Sequence, residues 1–459
     1  MKQRIRKNKR ESRFAGFFCR RAKTAAADIP RRIPLALMAL SLCMRLGLPA
    51  DIYALDEEHI MPADTLDSAV VPQSTIQDPS ISSDTAEEPT PDPFPPSYYL
   101  PVESNEIPGW PQGPQVQAES AVLMDMDCGI CLYEKNSRQR QYPASITKIM
   151  TALLTAENAK LSDVVTFSEN AVYGIEPDSS HIGITAGEQL TVEESLYGLL
   201  LASANEVAMG LAEHVAGSVE AFVEMMNEKA RSLGCQDTHF VNPHGLHDEN
   251  HYVTAYDMAL IARAAYQNPT FRKIAGTAEH EIPPTNLQEE ARYLVNNHKL
   301  LSNSSMYYDG CQGGKTGFTD QALNTLVTFA QRDNRTFVCV DLKTNGTPIY
   351  ADTGAILDYG FTNFFWTQTE LKTPVDFEIP LISQEYLFYH WKNAKWTETH
   401  SPGKVLLPRE ASTSDLTEKT AMEPNIAGPW RIASMYYYNG QYVGHSYQYE
   451  NPLLKQLLR

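Results

Sequence analysis

Two strand patterns enclose a block of helical patterns, and this order constrains the fold more than any other feature of the chain. Residues 121–136 alternate like two strands joined by a turn at Gly129. Residues 144–267 place apolar side chains at helical spacing, and residues 323–342 return to two strands joined by "QRDNR". Hairpins on either side of a helical block favour an antiparallel sheet packed with helices, which is an α+β fold.

Four helices are predicted within the block. The first follows "YPAS". The second begins with the capping pair Thr191 and Glu194 and runs to Gly217, because glycine readily adopts the left-handed conformation that ends a helix. The third begins after the N-cap Ser218, and the fourth ends before Pro269.

The first 117 residues predict an export signal and a linker. Residues 1–54 hold 13 Lys and Arg against 3 Asp and Glu, and their basic start precedes the apolar stretch "IPLALMALSLCMRLGLPA". This pattern predicts a signal peptide, with an uncleaved anchor or a lipid anchor at Cys43 as alternatives. Residues 55–117 are rich in Pro, Ser and acid and lack Lys and Arg, which predicts a disordered acidic linker. We therefore expect an exported protein close to the membrane or within the cell wall.

Charge and cysteine usage exclude other classes. Beyond residue 54 the chain holds 53 acidic and 25 basic residues, so no nucleic-acid partner is suggested. Its seven cysteines, an odd number, argue against a dense disulfide framework. Cys128 and Cys131 have the spacing of a redox pair, but they lie at the predicted hairpin turn and not before a helix. We expect no redox catalysis from them.

Residues 372–452 predict a small, separate β-rich domain. The stretch "IASMYYYNGQYVGHSYQYE" has many aromatic residues, and its Asn-Gly pair at 439–440 is a strong hairpin signal. With a junction near residues 365–374, the preceding domain would cover residues 118–366.

A serine with a lysine three residues later stands at the start of the first helix, at Ser145 and Lys148. Because residues three apart share a helix face, Lys148 can act as a base for the Ser145 hydroxyl. It can do so only if burial or a neighbouring cation lowers its pKa. The same pattern at Ser401 and Lys404 encloses Pro-Gly, which prevents such a helix.

Two further motifs follow in order. Ser203 and Asn205 form S-x-N after an apolar helix, and Lys315, Thr316 and Gly317 form K-T-G before a strand. S-x-N also occurs at residues 168–170, whereas K-T-G occurs once. The order S-x-x-K, S-x-N, K-T-G is typical of penicillin-binding proteins and serine β-lactamases.

With these motifs, residues 119–361 resemble the serine-type D-alanyl-D-alanine carboxypeptidases, the low-molecular-mass penicillin-binding proteins of peptidase family S11. Stretches such as "LTVEESLYGLLLASANEVAMGLAEHVAG" and "GGKTGFTDQALNTLV" carry the likeness. The resemblance implies a penicillin-binding/β-lactamase-like transpeptidase fold with a helical subdomain and a β-rich C-terminal domain. It implies removal of the terminal D-alanine from peptidoglycan stem pentapeptides in cell-wall remodelling, covalent binding of β-lactams, and no cofactor or metal.

The resemblance also implies roles at the first two motifs. Ser145 would be the acylated nucleophile and Lys148 its general base. Ser203 would relay protons to the leaving group, and Asn205 would hold the substrate amide. Ala204 stands where the family commonly has glycine, which could narrow the cleft.

The third motif would bind the substrate's end. Lys315 would attract the terminal carboxylate and keep the base deprotonated, while Thr316 hydrogen-bonds the same carboxylate. Gly317 would let the substrate lie along the strand edge. The backbone N–H of Phe318, with that of the nucleophile, would form the oxyanion hole.

Three alternatives remain open. A serine β-lactamase of the commonest class needs E-x-x-x-N, which is absent between the second and third motifs. A metallopeptidase could use His244, His247 and His251, but Gly245 and Asn250 argue against the helix that would align them, and H-E-x-x-H is absent. A non-catalytic, penicillin-binding wall scaffold would keep the same motifs.

Overall fold

The structure, a computed structural model, describes residues 92–301, 305–369, 397–398, 403–423 and 430–451. The predicted signal, residues 1–54, and the linker up to residue 91 lie outside the described residues. Within the described ranges, none of the helices combines the length and the apolar character needed to cross a membrane.

Fifteen strands occur in the described residues. They are β1 Ser120–Asp125, β2 Cys131–Lys135, β3 Val164–Thr166, β4 Gln189–Thr191, β5 Glu279–Ile282, β6 Arg292–Val295, β7 Cys311–Thr319, β8 Leu323–Arg332, β9 Arg335–Thr344, β10 Phe364–Gln368, β11 Thr397–Glu398, β12 Lys404–Pro408, β13 Leu416–Glu423, β14 Trp430–Tyr438 and β15 Gln441–Asn451.

Eight α-helices and four short 3-10 helices occur in the same described ranges. The α-helices are α1 Lys148–Asn158, α2 Glu169–Tyr173, α3 Val192–Leu201, α4 Asn205–Ala216, α5 Val219–Ser232, α6 Ala255–Gln267, α7 Pro269–Ala275 and α8 Pro348–Asn363. The 3-10 helices are Pro96–Tyr99, Glu103–Glu106, Ala144–Thr147 and Thr413–Asp415.

The main sheet has five strands in the order β2-β1-β9-β8-β7, all antiparallel, which confirms the α+β prediction. Alternate residues of its central strands point to opposite faces. Val122 and Met124 pack in the core shared with the helical block, whereas Ala121 and Leu123 pack in a second core that includes α8. Both faces are therefore covered, and β7 lies at an edge.

The predicted hairpin turns are confirmed. Gly129 has φ +72° between β1 and β2. Only Asp333 and Asn334 separate β8 from β9, and Asn439 and Gly440 separate β14 from β15. Both two-residue turns have positive φ throughout, at 47° and 60° and at 47° and 88°, as a type I′ hairpin turn requires.

The helix predicted to run from Thr191 to Gly217 is in fact two helices, α3 and α4. Thr191 caps α3 by accepting a hydrogen bond from the backbone N–H of Glu194, as predicted, and Gly217 ends α4 with φ 80°. Between the two helices the chain turns at Ser203, which has φ +63°. No Gly or Pro marks this break. The backbone N–H of Asn205 donates to the carbonyl of Ser180 in the loop before α3, a contact that no local pattern reveals.

The end of the predicted linker is packed and not extended. Within residues 92–117, Trp110 is 4% exposed and lies in the second core. The buried ammonium group of Lys135 donates to the backbone carbonyls of Ser97 (2.7 Å) and Val116 (2.6 Å). Val102 and Val116 are also buried in this core. The average composition of the linker hides this anchored part, because a few apolar side chains and backbone carbonyls supply its contacts.

A second sheet has the strand order β10-β12-β15-β14-β13, with β11 paired to β15. It begins at Phe364, earlier than the predicted start at residue 372, because β10 pairs with β12 directly after α8 ends. Small two-stranded sheets form from β3 with β4 and from β5 with β6.

Candidate active site

Ser145 lies in a 3-10 turn, Ala144–Thr147, and Lys148 is the first residue of α1. Side chains three residues apart eclipse each other in a 3-10 turn, which brings Nζ of Lys148 to 2.9 Å from Oγ of Ser145. The residue before Ser145, Ala144, has φ +51°, a conformation that L-residues rarely adopt. The turn therefore presents Ser145, which is half-buried, from a strained backbone.

Lys148 is fully buried, and its amine has two further partners. Nζ donates to Oδ1 of Asn205 (2.6 Å) and to the carbonyl of His244 (2.6 Å). Burial, and second the nearby charge of Lys315, lower the pKa of Lys148 well below its usual value, while Glu206 opposes the shift. A neutral amine has two hydrogens and one lone pair, so these two acceptors leave the lone pair for the Ser145 hydroxyl.

The break between α3 and α4 places the second motif. The Ser203 hydroxyl is buried and has no hydrogen-bond partner among the described residues. Asn205 begins α4, and its backbone N–H donates to the carbonyl of Ser180 (2.8 Å). Glu206 accepts from the backbone N–H of Ile182 through Oε1 (2.7 Å). These bonds hold the loop before α3 against the turn.

The third motif lies on the edge strand β7. Lys315 is 1% exposed, burial lowers its pKa to about 7, and Nζ donates to the carbonyl of Thr316 (2.8 Å). The sequence left burial and a neighbouring cation open as causes of a lowered pKa at Lys148, and the resemblance implied that Lys315 supplies the cation. Burial is the larger cause, and Lys315 is the second.

Gly317 lets β7 approach the 3-10 turn that carries Ser145, Ala144–Thr147, closely. A Cβ at this position would lie 2.8 Å from the backbone N of Ser145 and would collide with Oγ1 of Thr325. Oγ1 of Thr325 in turn donates to the carbonyl of Pro143 (2.8 Å). The glycine thus serves the contact between β7 and the turn, a need that the sequence did not reveal. Phe318 follows it and is 59% exposed.

The other S-x-N match, at residues 168–170, and the other S-x-x-K match, at residues 401–404, contain residues with structural roles. Ser168 is the N-cap of α2, where its hydroxyl accepts from the backbone N–H of Ala171 and donates to Glu213 (2.7 Å). Lys404 forms an ion pair with Asp127 (2.9 Å), while Ser401 lies outside the described residues.

Ala204 does not face the cleft. It is fully buried in the main core, and its φ of −60° and ψ of 121° are ordinary for any L-residue. The expectation that its methyl group could narrow the cleft is therefore not supported by its position.

Two of the histidines proposed as possible metal ligands have their ring nitrogens engaged elsewhere. Nδ1 of His251 accepts from the backbone N–H of Val241 (3.1 Å), and Nε2 lies 2.8 Å from Oγ1 of Thr147. Nδ1 of His244 accepts from the backbone N–H of Leu246 (3.1 Å). In the part of the chain that the structure describes, no group of three His, Cys, Asp or Glu is placed to hold a metal ion.

Cys128 and Cys131 are free thiols. Burial raises the pKa of Cys128 to about 12 and that of Cys131 well above its usual value. A redox-active thiol needs the opposite shift, because the thiolate is the reactive form. This agrees with the hairpin interpretation of the pair.

Sequence reasoning missed several residues that contact the Ser145 turn or influence Lys148. They are Thr147, Glu206, Gly245, His251 and, through its backbone carbonyl, His244. The cluster "HGLHDENH" drew attention as a possible metal site. Its residues contact the turn that carries Ser145 only in the folded chain, so the sequence shows no periodic pattern that would reveal these contacts. Together, the side chains form a buried amine beside a hydroxyl, an arrangement suited to acyl transfer.

Three comparisons relate the chain to known proteins. Residues 108–346 match the D-alanyl-D-alanine carboxypeptidase family. The chain is 33% identical over 320 residues to the D-alanyl-D-alanine carboxypeptidase DacF of Bacillus subtilis, covering 68% of this chain and 78% of the relative. Penicillin binding protein 6B from Escherichia coli superposes with a TM-score of 0.56 at 25% identity, covering 74% of this chain and 98% of its own. The Streptomyces K15 DD-transpeptidase superposes with a TM-score of 0.51 at 29% identity, covering 55% of this chain and 100% of its own. These structural neighbours confirm the predicted fold class.

Proposed function

The chain belongs to the D-alanyl-D-alanine carboxypeptidase family, and we propose that it removes the terminal D-alanine from peptidoglycan stem peptides through an acyl-enzyme on Ser145. The observation that carries this proposal is the contact between Lys148 and Ser145. The amine is fully buried, lies 2.9 Å from the hydroxyl, and lies 2.6 Å from each of two other acceptors, which take both hydrogens of its neutral form. A base in this state can accept a proton at neutral pH.

In the acylation step, the Ser145 hydroxyl donates its proton to Nζ of Lys148 while Oγ attacks the carbonyl of the penultimate D-alanine. The backbone N–H groups of Ser145 and Phe318 stabilise the oxyanion. The close approach of β7 to the nucleophile turn at Gly317 supports this pairing, because it brings the two backbones together.

The substrate's terminal carboxylate binds to Lys315 and Thr316. Since burial lowers the pKa of Lys315 to about 7, an arriving carboxylate favours its charged form. The charged form in turn keeps the amine of Lys148 neutral. Substrate binding and activation of the base are thereby coupled.

Departure of D-alanine needs a proton on its amine nitrogen. Ser203 relays this proton from Lys148. This role is supported by its hydroxyl, which is buried and lacks a hydrogen-bond partner within the described ranges. Asn205 both accepts from Lys148 and orients the substrate amide. Water then attacks the ester carbonyl with Lys148 as base, which releases the shortened stem and restores Ser145.

Intact-mass measurement of a penicillin adduct, together with D-alanine release from a stem pentapeptide, tests the proposal. The wild type should gain one penicillin and release D-alanine. Ser145→Ala should do neither, whereas Ser401→Ala, at the other S-x-x-K match, should behave as wild type. A penicillin adduct without D-alanine release would favour the non-catalytic, penicillin-binding scaffold, and absence of both signals in the wild type would contradict the proposed function. Rapid hydrolysis of a chromogenic cephalosporin would favour a β-lactamase, and loss of activity on chelation would favour a metallopeptidase.

We also propose an extracytoplasmic location, at the cell wall or the outer face of the cytoplasmic membrane. The basic and apolar start of the chain and the location of the proposed substrate support it. Fractionation of cells that produce the full chain tests this location. Recovery in the cytoplasm alone would contradict it.

A further inference from the structure

The left-handed backbone at Ala144 determines where the N–H of Ser145 points. The carbonyl of Ala144 and the N–H of Ser145 belong to one rigid trans peptide plane and point in opposite directions. Whatever holds the carbonyl therefore aims the N–H. Gly245, with φ +89°, packs against this carbonyl so closely that a Cβ would collide with it.

A chain of hydrogen bonds ends on the same carbonyl. Oγ1 of Thr147 donates to Ala144 (2.8 Å) and lies 2.8 Å from Nε2 of His251. The hydroxyl has one hydrogen, which it gives to the carbonyl, so Nε2 must be the donor to Oγ1. Nδ1 accepts from the backbone N–H of Val241 (3.1 Å), which requires the same neutral tautomer. Each donor in this series of hydrogen bonds therefore meets an acceptor.

His251 is itself fixed from two sides. It is 1% exposed, and burial lowers its pKa to about 3, with Asp248 opposing the shift, so the ring is neutral at neutral pH. The next residues form bridges to two segments: Tyr252 with His239, and Val253 with Gln141 just before the nucleophile turn.

We propose that His251 is a positioning residue that aims the oxyanion-binding N–H of Ser145 through Thr147 and the carbonyl of Ala144. The inference rests on the proposed acyl-transfer function and adds a residue that no motif contains. His251 does not touch the reacting atoms. It maintains a backbone orientation that the turn alone would not favour.

Two substitutions at His251 separate its two hydrogen bonds. In His251→Gln the terminal amide nitrogen takes the place of Nε2 and donates to Thr147. In His251→Asn the shorter side chain takes the place of Nδ1 and accepts from Val241 only. Stopped-flow acylation of the full chain by a fluorescent penicillin, per titrated active site, should slow roughly tenfold or more in the Asn variant. The Gln variant should stay within about threefold of wild type by the same reasoning.

A pair at Thr147 gives an independent test if either His251 variant fails to fold. Thr147→Ser keeps the hydroxyl and should acylate normally, whereas Thr147→Val removes it and should be slow. Because both residues act through one carbonyl, the double variant His251→Asn/Thr147→Val should be no slower than the slower single variant. Fully multiplicative effects in this cycle would overturn the proposal.

A purely structural role makes a different prediction. Both His251 variants would then unfold at lower temperature while the acylation rate constant per active site stays that of wild type, and this result would overturn the inference alone. If the wild type forms no adduct and releases no D-alanine, the proposed function fails as well. The two failures are therefore distinguishable.

Discussion

Gly317 and Ser145 lie in backbone contact: a Cβ on Gly317 would be 2.8 Å from the backbone N of Ser145. The edge strand β7 and the turn that carries Ser145 are thus held at a fixed separation. The bonds from Thr325 to Pro143 and from Thr147 to Ala144 secure the turn from two directions. The site depends on this separation, because both proposed oxyanion donors are backbone groups.

Gly317→Ala should therefore slow acylation by penicillin on the order of a hundredfold, because β7 must move away from the turn. Stopped-flow acylation per titrated active site measures the effect. Gly354→Ala is the matched control: it lies within α8, where a Cβ meets Tyr308 only at ordinary contact distance. It should acylate as wild type and be slightly more stable. Equal rates for both variants would contradict the close approach.

Opposite shifts of the pH profile are expected from Lys315→Met and Glu206→Gln. Acylation needs neutral Lys148, so the rate falls as pH drops through the pKa of that amine. Loss of the Lys315 cation favours the ammonium form of Lys148, which raises this pKa and moves the acid limb to higher pH. Loss of the Glu206 carboxylate disfavours the ammonium form and moves the acid limb to lower pH.

The comparison uses the midpoint of the acid limb, the pH at which the acylation rate has fallen to half of its maximum on the acid side. Lys315→Met also removes a carboxylate contact, so its maximal rate should fall as well. Glu206→Gln keeps an oxygen to accept from Ile182, so the loop should stay in place. A midpoint unchanged by Lys315→Met would show that burial alone depresses the pKa of Lys148.

Ala204→Gly should restore the family's common residue at a cost in stability and without a gain in activity. The methyl group is fully buried in the core, and the backbone conformation does not need glycine. We expect the free energy of unfolding to fall by about 1 kcal/mol, from the lost packing and the more flexible unfolded chain. Denaturant titration measures this change. A tenfold rise in acylation would instead show that the methyl group obstructs the cleft.

Trp110→Ala should destabilise the fold while leaving the site intact. The indole packs against Phe364 with ring centroids 4.9 Å apart, and Nε1 donates to the carbonyl of Leu132 (2.9 Å). We expect a loss of about 3–5 kcal/mol in the free energy of unfolding, with the acylation rate constant per active site unchanged. The control Tyr99→Ala, on a residue 59% exposed in the same segment, should change stability by about 0.5 kcal/mol or less. Equal effects of both substitutions would mean that the segment is not anchored.

Much of the secondary structure could be predicted because its signals are local. The cap at Thr191 and the turn at Asn439 depend on residues within a few positions, so the pattern suffices. The break at Ser203 could not be predicted, since the carbonyl that accepts from the backbone N–H of Asn205 belongs to Ser180, in the loop before α3. The anchored part of the linker escaped notice for the same reason: Lys135 binds it from another strand.

The α+β class, the order of the three motifs and the residue types available for chemistry could all be read from the order of the amino acids. These depend on local hydrogen bonding, side-chain period and covalent order. The folded structure was needed to show that Lys148 is a buried amine whose pKa the charge of Lys315 also lowers, and that Nε2 of His251 lies against Thr147 in the turn that carries Ser145. A pKa and a backbone orientation depend on desolvation and on contacts between segments far apart in the chain, and the folded arrangement alone brings those segments together.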